Sequence, residues 1–513
     1  MITESALLEN RYFDSVFLMR VSKRLSEQSG IQQAALVMGT PKNIQILADA
    51  GYEGIDKLAA APNDLVVSLR ADSVEEARSL LEDLEQYLAR DQSRPAVQTV
   101  RSTEQAIFLQ PTSNIALISV PGDFATREAR QALQSGLNVF LFSDHVSVDD
   151  ELSLKRLALE KGLLMMGPDC GTSIVGGVGL GFANAVRKGP VGVIGASGTG
   201  TQEVTSLIHR WGSGISHAIG VGGRDLSDDI GAISTLQAID ALERDTGTEV
   251  ILLVSKPPGP VTMDLVNQRI TTGTKPVVTC YLGSRGGVSS DSGNVTATHN
   301  LDDAATAAIR LGGGIRVDED SPVMPDTLER ERTKLKASQK YIRGVFSGGT
   351  LCYQAQQVLR DSGFEVYSNE PLDKDMLLTD SDSSIEHTLV DMGSDEFTEG
   401  KPHPMVDSTQ RVRRILSEAD DPEVGVILLD CVLGHVAAED PGRDIASSIS
   451  KARLTAQQRG EHLSVVASVC GTELDQQGLN AQVQALEEAG AVVFTSGFQA
   501  ARFAAGLVAM KGQ

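Results

Sequence analysis

Positive charge is scarce in this 513-residue chain: 45 Lys and Arg stand against 68 Asp and Glu, a net charge of −23 at neutral pH. No broad basic field is available to hold a phosphate backbone or an anionic bilayer, so neither nucleic acid nor a membrane is an expected partner. Long apolar runs are missing too. Stretches such as Val191–Ile194 and Glu249–Val254 fall far short of the roughly 20 residues that a spanning helix needs. The opening MITESALLEN has no basic-then-apolar signal pattern, so a cytoplasmic protein is expected. Cysteine is sparse and unpaired in pattern: Cys170, Cys280, Cys352, Cys431 and Cys470 form no C-x-x-C and read as reduced, buried thiols. The eight histidines show no close ligand spacing and D-x-D-x-D-G is absent, so no metal is expected.

What is abundant is glycine, 50 residues, much of it placed directly after short aliphatic runs. Runs of four to seven Val, Ile or Leu, then a small-residue turn, then a segment of helical spacing predict parallel strands covered by helices, an α/β fold. NIALISVPGDF, LNVFLFSDH, VGVIGASGTG, TEVILLVSKPPGP, KPVVTCYLG, IRGVFSGGT, PEVGVILLDCVLG and LSVVASVCGT all follow this habit. The pattern also repeats. GVIGASGTGTQE (192–203) resembles GVFSGGTLCYQA (344–355), and in each half a Glu-Val strand follows, TEVILLVSKPP and then PEVGVILLDCVLG. Order and turn chemistry together predict two copies of one flavodoxin-like unit, against the alternative that any α/β protein echoes itself by chance. The polar, proline-bearing stretch within 317–340 is the best inter-domain linker, and residues 1–105 read as a small α/β domain of their own.

The sharpest local signal is VGVIGASGTGTQEV. A buried strand delivers the chain into Gly195, Ala196, Ser197, Gly198, Thr199 and Gly200, after which helical spacing begins. Small residues allow close approach to the backbone, and a helix start offers unpaired N–H groups and the positive end of a dipole. Ser197 and Thr199 add hydroxyls, so a phosphate or carboxylate is the expected guest; a tight turn that holds nothing is the alternative. Neither a Gly-Lys-Ser/Thr ending nor a full G-x-G-x-x-G is present, which disfavours nucleotide binding by those routes.

MGPDCGTSIVGG (166–177) forms a second such turn, in which Cys170 reads either as a nucleophile or, preferably, as an inert loop thiol. In GVGGRDLSDDIG (220–231), Arg224 suits either a carboxylate clamp or a local pair with Asp225 that orders the loop. DMGSDEFTEGKPHPMVD (391–407) places Lys401 and His403 after Asp395, Glu396 and Glu399, with His403 either an acid–base group or an ordinary loop residue.

In the same order, GPDCGT (167–172), GVIGASGTGTQE, VGGRDLSDDIG, the Glu-Val strand and KPVV (275–278) resemble the α subunit of succinyl-CoA synthetase. VDMGSDEFTEGKPHPM and DPEVGVILLDCVLG resemble the CoA-ligase domain of its β subunit. From YFDSVFLM to VLGHVAAEDP the whole chain is identified as a member of the FdrA family of acyl-CoA-synthetase-like proteins. The resemblance implies a small N-terminal α/β domain (1–105), a CoA-binding Rossmann-like domain (106–189), an α-like flavodoxin domain (190–316), a linker (317–340) and a β-like CoA-ligase domain (341–513). It implies CoA as cofactor, held at Gly167, Pro168, Asp169 and Cys170. An oxyanion would sit between helix starts after Ser197-Gly198-Thr199 and after the Gly393 loop; from the residues themselves, Lys256 and His403 are the expected catalytic groups.

The family's Gly-His-Ala-Gly loop is replaced by LGSRGGVSSDSGNVTATHN, a Lys256-bearing SKPPGP stands where a glutamate follows the Glu-Val strand, and no segment resembles an ATP-grasp domain. Expected functions are therefore an acyl-CoA-synthetase component using an acyl phosphate, a subunit of an oxamate carbamoyltransferase using carbamoyl phosphate, or a non-catalytic CoA-binding scaffold. Further protein subunits or an oligomer are expected partners.

Overall fold

A computed structural model describes residues 2–509 except positions 14, 27, 53, 89–99, 101, 284–292, 318–324 and 400. The chain divides into two units, one of residues 1–102 with 395–407, the other of 103–394 with 408–513.

In the first unit, three antiparallel strands lie in the order Ile2–Leu8, Leu65–Ala71, Ile31–Met38. The middle strand is buried on both faces, which is why DLVVSLR reads as a continuous apolar run. One face carries the Ser15–Ser26 and Val74–Glu82 helices, whose Leu18, Val21, Leu25 and Ala77 pack on Leu36, Val67 and Leu69. Ser73 caps the second of these by accepting the Glu76 amide, and Glu76 returns a carboxylate to the Ser73 hydroxyl at 2.9 Å.

The second unit carries three parallel arrangements. The smallest is a sheet of Ile115–Ile118, Asn138–Leu141 and Met165–Met166. The Thr172–Val175 and Val178–Gly181 hairpin, which the sequence reading places with that sheet, pairs instead with Ile215–Gly220 through Ile174 and Ala218. Phe140, Met166 and Cys170 share one core with Ile194, Ile219 and Val221 of the next sheet, so burial of those side chains carries the hairpin across.

The two larger sheets have one topology. Five parallel strands of the first run Ile215–Gly220, Lys188–Gly195, Val250–Ser255, Val277–Tyr281, Val295–Thr298. The other sheet runs Thr388–Asp391, Tyr341–Phe346, Val424–Val432, Ser464–Cys470, Ala491–Phe494. Numbered along the chain within each half, both orders are 2-1-3-4-5, the flavodoxin-like arrangement. In each, the first strand feeds a small-residue turn and a helix, Gly198–Arg210 in one half and Gly349–Asp361 in the other. Helices Leu301–Leu311 and Gly497–Val508 follow the fifth strands.

These helices cap one another across the two halves. Glu203, four residues after Thr199, accepts the Gly497 amide with Oε1 at 2.8 Å. Gln354, four residues after Thr350, accepts the Leu301 amide with Oε1 at 2.9 Å. Each first helix thus satisfies an otherwise unpaired N–H at the start of the other half's last helix. Glu203 is fully buried, and desolvation pushes its carboxyl up to about 7. Asp302, which accepts the Ser496 hydroxyl at 2.8 Å, is pushed by the same cause to about 6.

A carboxyl whose folded-state value is raised contributes stability below its unfolded value that is lost as pH rises through the folded one. Glu203→Gln keeps the acceptor for the Gly497 amide and removes the titration. At about 1.4 kcal/mol per pKa unit, the variant is expected to gain roughly 2–3 kcal/mol on wild type between pH 5 and pH 8, read from urea unfolding at the two pH values.

Candidate functional site

The Lys188–Gly195 strand lies between Ile215–Gly220 and Val250–Ser255, and its C-terminal end faces the crevice where strand order reverses, the usual ligand position in open α/β sheets. The turn there is held by the Ala196 amide donating to the Val254 carbonyl at 2.9 Å. Ser197 caps the helix by accepting the Gly200 amide at 3.0 Å, and Thr201 donates its hydroxyl to the Ser197 carbonyl at 2.6 Å. The glycines do different work. A Cβ on Gly195 would lie 1.8 Å from Thr201 Oγ1, and one on Gly200 would lie 2.6 Å from Ser197 Oγ and 3.0 Å from Thr350 Cγ2, so both are needed for packing. A Cβ on Gly198 would meet nothing nearer than the Gly171 Cα at 3.9 Å. Gly198 therefore borders open space. Among the described residues no bond is recorded from the Gly198 or Thr199 amide to a side chain or to backbone outside the helix, as expected for the first turn.

The second half begins its helix at Ser347, Gly348, Gly349 and Thr350, and it faces the first. The Ser197 and Thr350 hydroxyls hydrogen-bond each other, and the Thr350 amide donates to Thr199 Oγ1 at 3.3 Å. Here the two amides that precede the helix are taken. Asp430 accepts from the Ser347 amide at 2.8 Å, the Gly348 amide at 2.7 Å and the Ser347 hydroxyl at 3.0 Å, with Arg411 Nη2 on the same carboxylate at 2.8 Å. The position equivalent to Asp430 in the first half is Val254, which offers only its carbonyl. The second turn thus holds an internal carboxylate at Ser347 and Gly348, the counterparts of Ala196 and Ser197, and the first turn holds none; for the Gly349 amide, the counterpart of Gly198, no bond is recorded among the described residues either.

The second start lies at Gly349, and the Gly393 loop does not supply it. The Gly393 amide donates to Asp391 Oδ1 at 2.9 Å, and the helix that follows, Asp395–Thr398, has four residues. Residues 395–407 group with the first unit. His403, in that segment, accepts the Met405 amide on Nδ1 at 3.2 Å and the Val406 amide on its carbonyl at 2.8 Å. It orders its own turn.

Lys256 is gathered at the helix starts. It follows the Val250–Ser255 strand directly, is exposed, and places Nζ 5.2 Å from the ring centre of Tyr353 on the Gly349–Asp361 helix. Its charge also acts on Asp391, at the end of the Thr388–Asp391 strand. Burial pushes the Asp391 carboxyl up to about 6; the Gly393 amide and Lys256 oppose this, and Glu370 and Asp430 add to it. Asp391 was not singled out in the sequence, where it reads as the polar end of an aliphatic run; only the strand order brings it to the turn.

The Gly167–Cys170 turn leads into Gly171, whose Cα borders Gly198. The Gly167–Pro168 bond is cis, and Asp169 has φ +53°. A Cβ on Gly222 would come within 2.4 Å of the Pro168 carbonyl, so the turn is packed tightly on the end of the Ile215–Gly220 strand. Cys170 is fully buried with its thiol pushed up to about 12 by desolvation, which fits the inert reading. Arg224 is committed elsewhere: it pairs with Glu151 at 2.9 Å and donates to the Val146 carbonyl at 2.7 Å, while buried Lys155 bridges Glu151 and Asp225. Asp225 in turn accepts the Ser234 and Thr235 amides at the start of the next helix. The GVGGRDLSDDIG loop is thus an ordered brace and leaves no free clamp. Positions 284–292 of the segment that replaces Gly-His-Ala-Gly fall outside the described residues, as does part of the 317–340 linker.

Residues 345–507 match the CoA-ligase family model and residues 186–283 the CoA-binding domain model, which places the latter match on the first flavodoxin-like sheet. Residues 1–105 match the model described as AllF, heavy metal-associated domain. The metal in that description does not fit this segment, since residues 1–105 contain neither Cys nor His to supply soft or imidazole ligands. An uncharacterised protein of Escherichia coli, YahF, is 44% identical over 492 residues, 95% of each chain. The α subunit of the ADP-forming succinate–CoA ligase of Aquifex aeolicus is 29% identical over 31% of this chain and 52% of its own. An apo acetyl-coenzyme A synthetase of Candidatus Korarchaeum cryptofilum aligns at 16% identity and TM-score 0.32 over 77% of this chain and 82% of its own, too loose a fit to carry residue correspondences. No helix among the described residues is long and apolar enough to cross a membrane.

Two outcomes check this geometry. Gly348→Ala would set a methyl 2.9 Å from Thr199 Cγ2 and 3.1 Å from Asp430 Oδ2 and is expected to cost about 1–3 kcal/mol, whereas Gly198→Ala should stay within about 1 kcal/mol of wild type in chemical denaturation. All five cysteines are buried, with every resolved thiol raised. The folded chain should leave a disulfide reagent such as DTNB unreacted at pH 8, and five thiols should appear on unfolding.

Proposed function

The chain belongs to the FdrA-type family of acyl-CoA-synthetase-like proteins, and from that premise we propose that it is the component of an acyl-CoA synthetase that binds CoA and seats an acyl phosphate at the Gly198 turn. The observation that carries this reading is the contrast between the two facing helix starts. One carries the buried Asp430 carboxylate on its Ser347 and Gly348 amides, a negative charge against any further anion; the other has no carboxylate at its turn, is glycine-lined and is flanked by Ser197, Thr199 and Lys256.

The amides at Gly198 and Thr199, aligned with the dipole of a 13-residue helix, would hold the phosphoryl oxygens. Lys256 would add full positive charge, stabilising phosphate as it accumulates charge on leaving the acyl carbon. CoA would be held along the Gly167, Pro168, Asp169 and Cys170 turn, where Gly171 and Gly198 leave room for close backbone approach; when bound it supplies the thiol that takes the acyl group. Cys170 would contribute shape and no nucleophile. His403 is a candidate only within its own unit and carries no step here.

A second reading is favoured by what the sequence omits. With neither Gly-His-Ala-Gly nor an ATP-grasp-like segment in the chain, phosphoryl transfer would fall to partner subunits, and the same anion seat suits carbamoyl phosphate in a carbamoyltransferase complex. A non-catalytic CoA-binding scaffold is the third.

Titration calorimetry of the full chain with CoA, acetyl phosphate and carbamoyl phosphate separates them. Binding of both CoA and an acyl phosphate is expected, and Gly198→Asp should abolish acyl phosphate binding while leaving CoA measurable. Carbamoyl phosphate binding without CoA would move the assignment to the second reading. CoA binding with no anion binding in either protein would leave only the scaffold.

A further inference from the structure

Asp391 is the acidic residue that the proposed chemistry does not yet use. It is 8% exposed. One oxygen, Oδ1, accepts the Gly393 amide at 2.9 Å; for the other, Oδ2, no hydrogen bond is recorded among the described residues. That free oxygen points at the start of the Gly349–Asp361 helix, since a Cβ on Gly349 would lie 2.5 Å from it. Gly349 is half-buried and is followed by Thr350, whose amide and hydroxyl bond Thr199 and Ser197 of the anion seat. A carboxylate oxygen with no recorded hydrogen bond thus stands one residue away from the contact between the two helix starts.

Its surroundings are mixed in charge. Lys256 reaches it from the end of the Val250–Ser255 strand of the first half, and Glu370 and Asp430 face it from the second, with Arg411 neutralising Asp430. Cys352, on the Gly349–Asp361 helix, feels both Asp391 and Lys256 but is a buried thiol held protonated. A carboxylate here repels any oxyanion seated at Gly198, and a carboxylic acid does not.

We propose that Asp391 tunes the affinity of the Gly198 seat for a doubly charged oxyanion: protonated it strengthens binding, and ionised it weakens binding without abolishing it. The inference rests on the anion seat proposed above. By linkage, binding of a dianion and protonation of Asp391 must promote each other equally. Lys256 then has two tasks, attracting the anion and holding down the proton affinity of Asp391. The elevation of that carboxyl to about 6, caused chiefly by burial, places the change within the range in which proteins work.

Sulfate tests this, because it stays a dianion from pH 5 to 8 and adds no titration of its own. The affinity of the full chain for sulfate should rise on the order of fivefold from pH 7.5 to pH 5.5 at constant ionic strength. Asp391→Asn should bind sulfate at pH 7.5 as tightly as wild type does at pH 5.5, with a flat pH profile. Glu203 and Asp302 also have raised carboxyls, so Glu203→Gln, away from the free Asp391 oxygen, should keep the wild-type slope. Lys256→Met should weaken sulfate at both pH values and shift the midpoint upward. A wild-type profile that is already flat, or a slope that survives in Asp391→Asn, overturns the role of Asp391 while leaving the seat intact. Absence of sulfate binding in wild type and Asp391→Asn alike overturns the seat and the inference together.

Discussion

Every helix that follows a parallel strand starts with amide hydrogens that nothing in the helix can accept, and the second unit of this chain is organised around where those hydrogens go. The last helix of each half is answered by the first helix of the other: Glu203 takes the Gly497 amide and Gln354 takes the Leu301 amide. Because each acceptor sits four residues beyond the turn threonine, this exchange of caps also fixes how the two turns meet. Thr199 and Thr350 are brought into hydrogen-bond contact as a consequence. The arrangement makes the halves a single folding problem, since removing one half would leave a buried amide and a buried Glu203 or Gln354 side chain in the other without a partner.

Duplication alone would yield two equivalent turns, and the chain has two that differ in charge. The difference is a single position on the third strand, where Asp430 in one half stands in the place of Val254 in the other. Asp430, held by Arg411, takes the Ser347 and Gly348 amides of its own turn, and its removal would leave the buried Arg411 guanidinium without a counter-charge. The Val254 half offers only a carbonyl to Ala196, so no carboxylate stands at the Gly198 turn. Fold symmetry supplies the facing geometry, and one carboxylate breaks the chemical symmetry.

Much of this was legible in advance. Strands read as unbroken aliphatic runs because parallel sheets bury both faces, and Val250–Ser255 and Val424–Val432 are buried throughout. The two Gly-Thr turns and their Glu-Val strands gave away the duplication, which the shared 2-1-3-4-5 order displays. Arg224 was less legible because its partners, Glu151 and the Val146 carbonyl, lie more than seventy residues earlier in the chain. The Gly393 loop drew attention through its glycine and charges, yet its amide is spent on Asp391 and its helix stops after one turn.

The amino-acid sequence by itself determined the fold class, the repeat, the position of the Gly198 turn and the family, because each is a local pattern of size, polarity and spacing. Tertiary structure alone decided which turn faces which, that Asp430 puts a carboxylate at one of them, and that Asp391 comes to the contact from a separate strand. Those outcomes depend on strand order and on hydrogen bonds between residues up to 294 positions apart, such as Glu203 with Gly497, and no local pattern encodes such pairings.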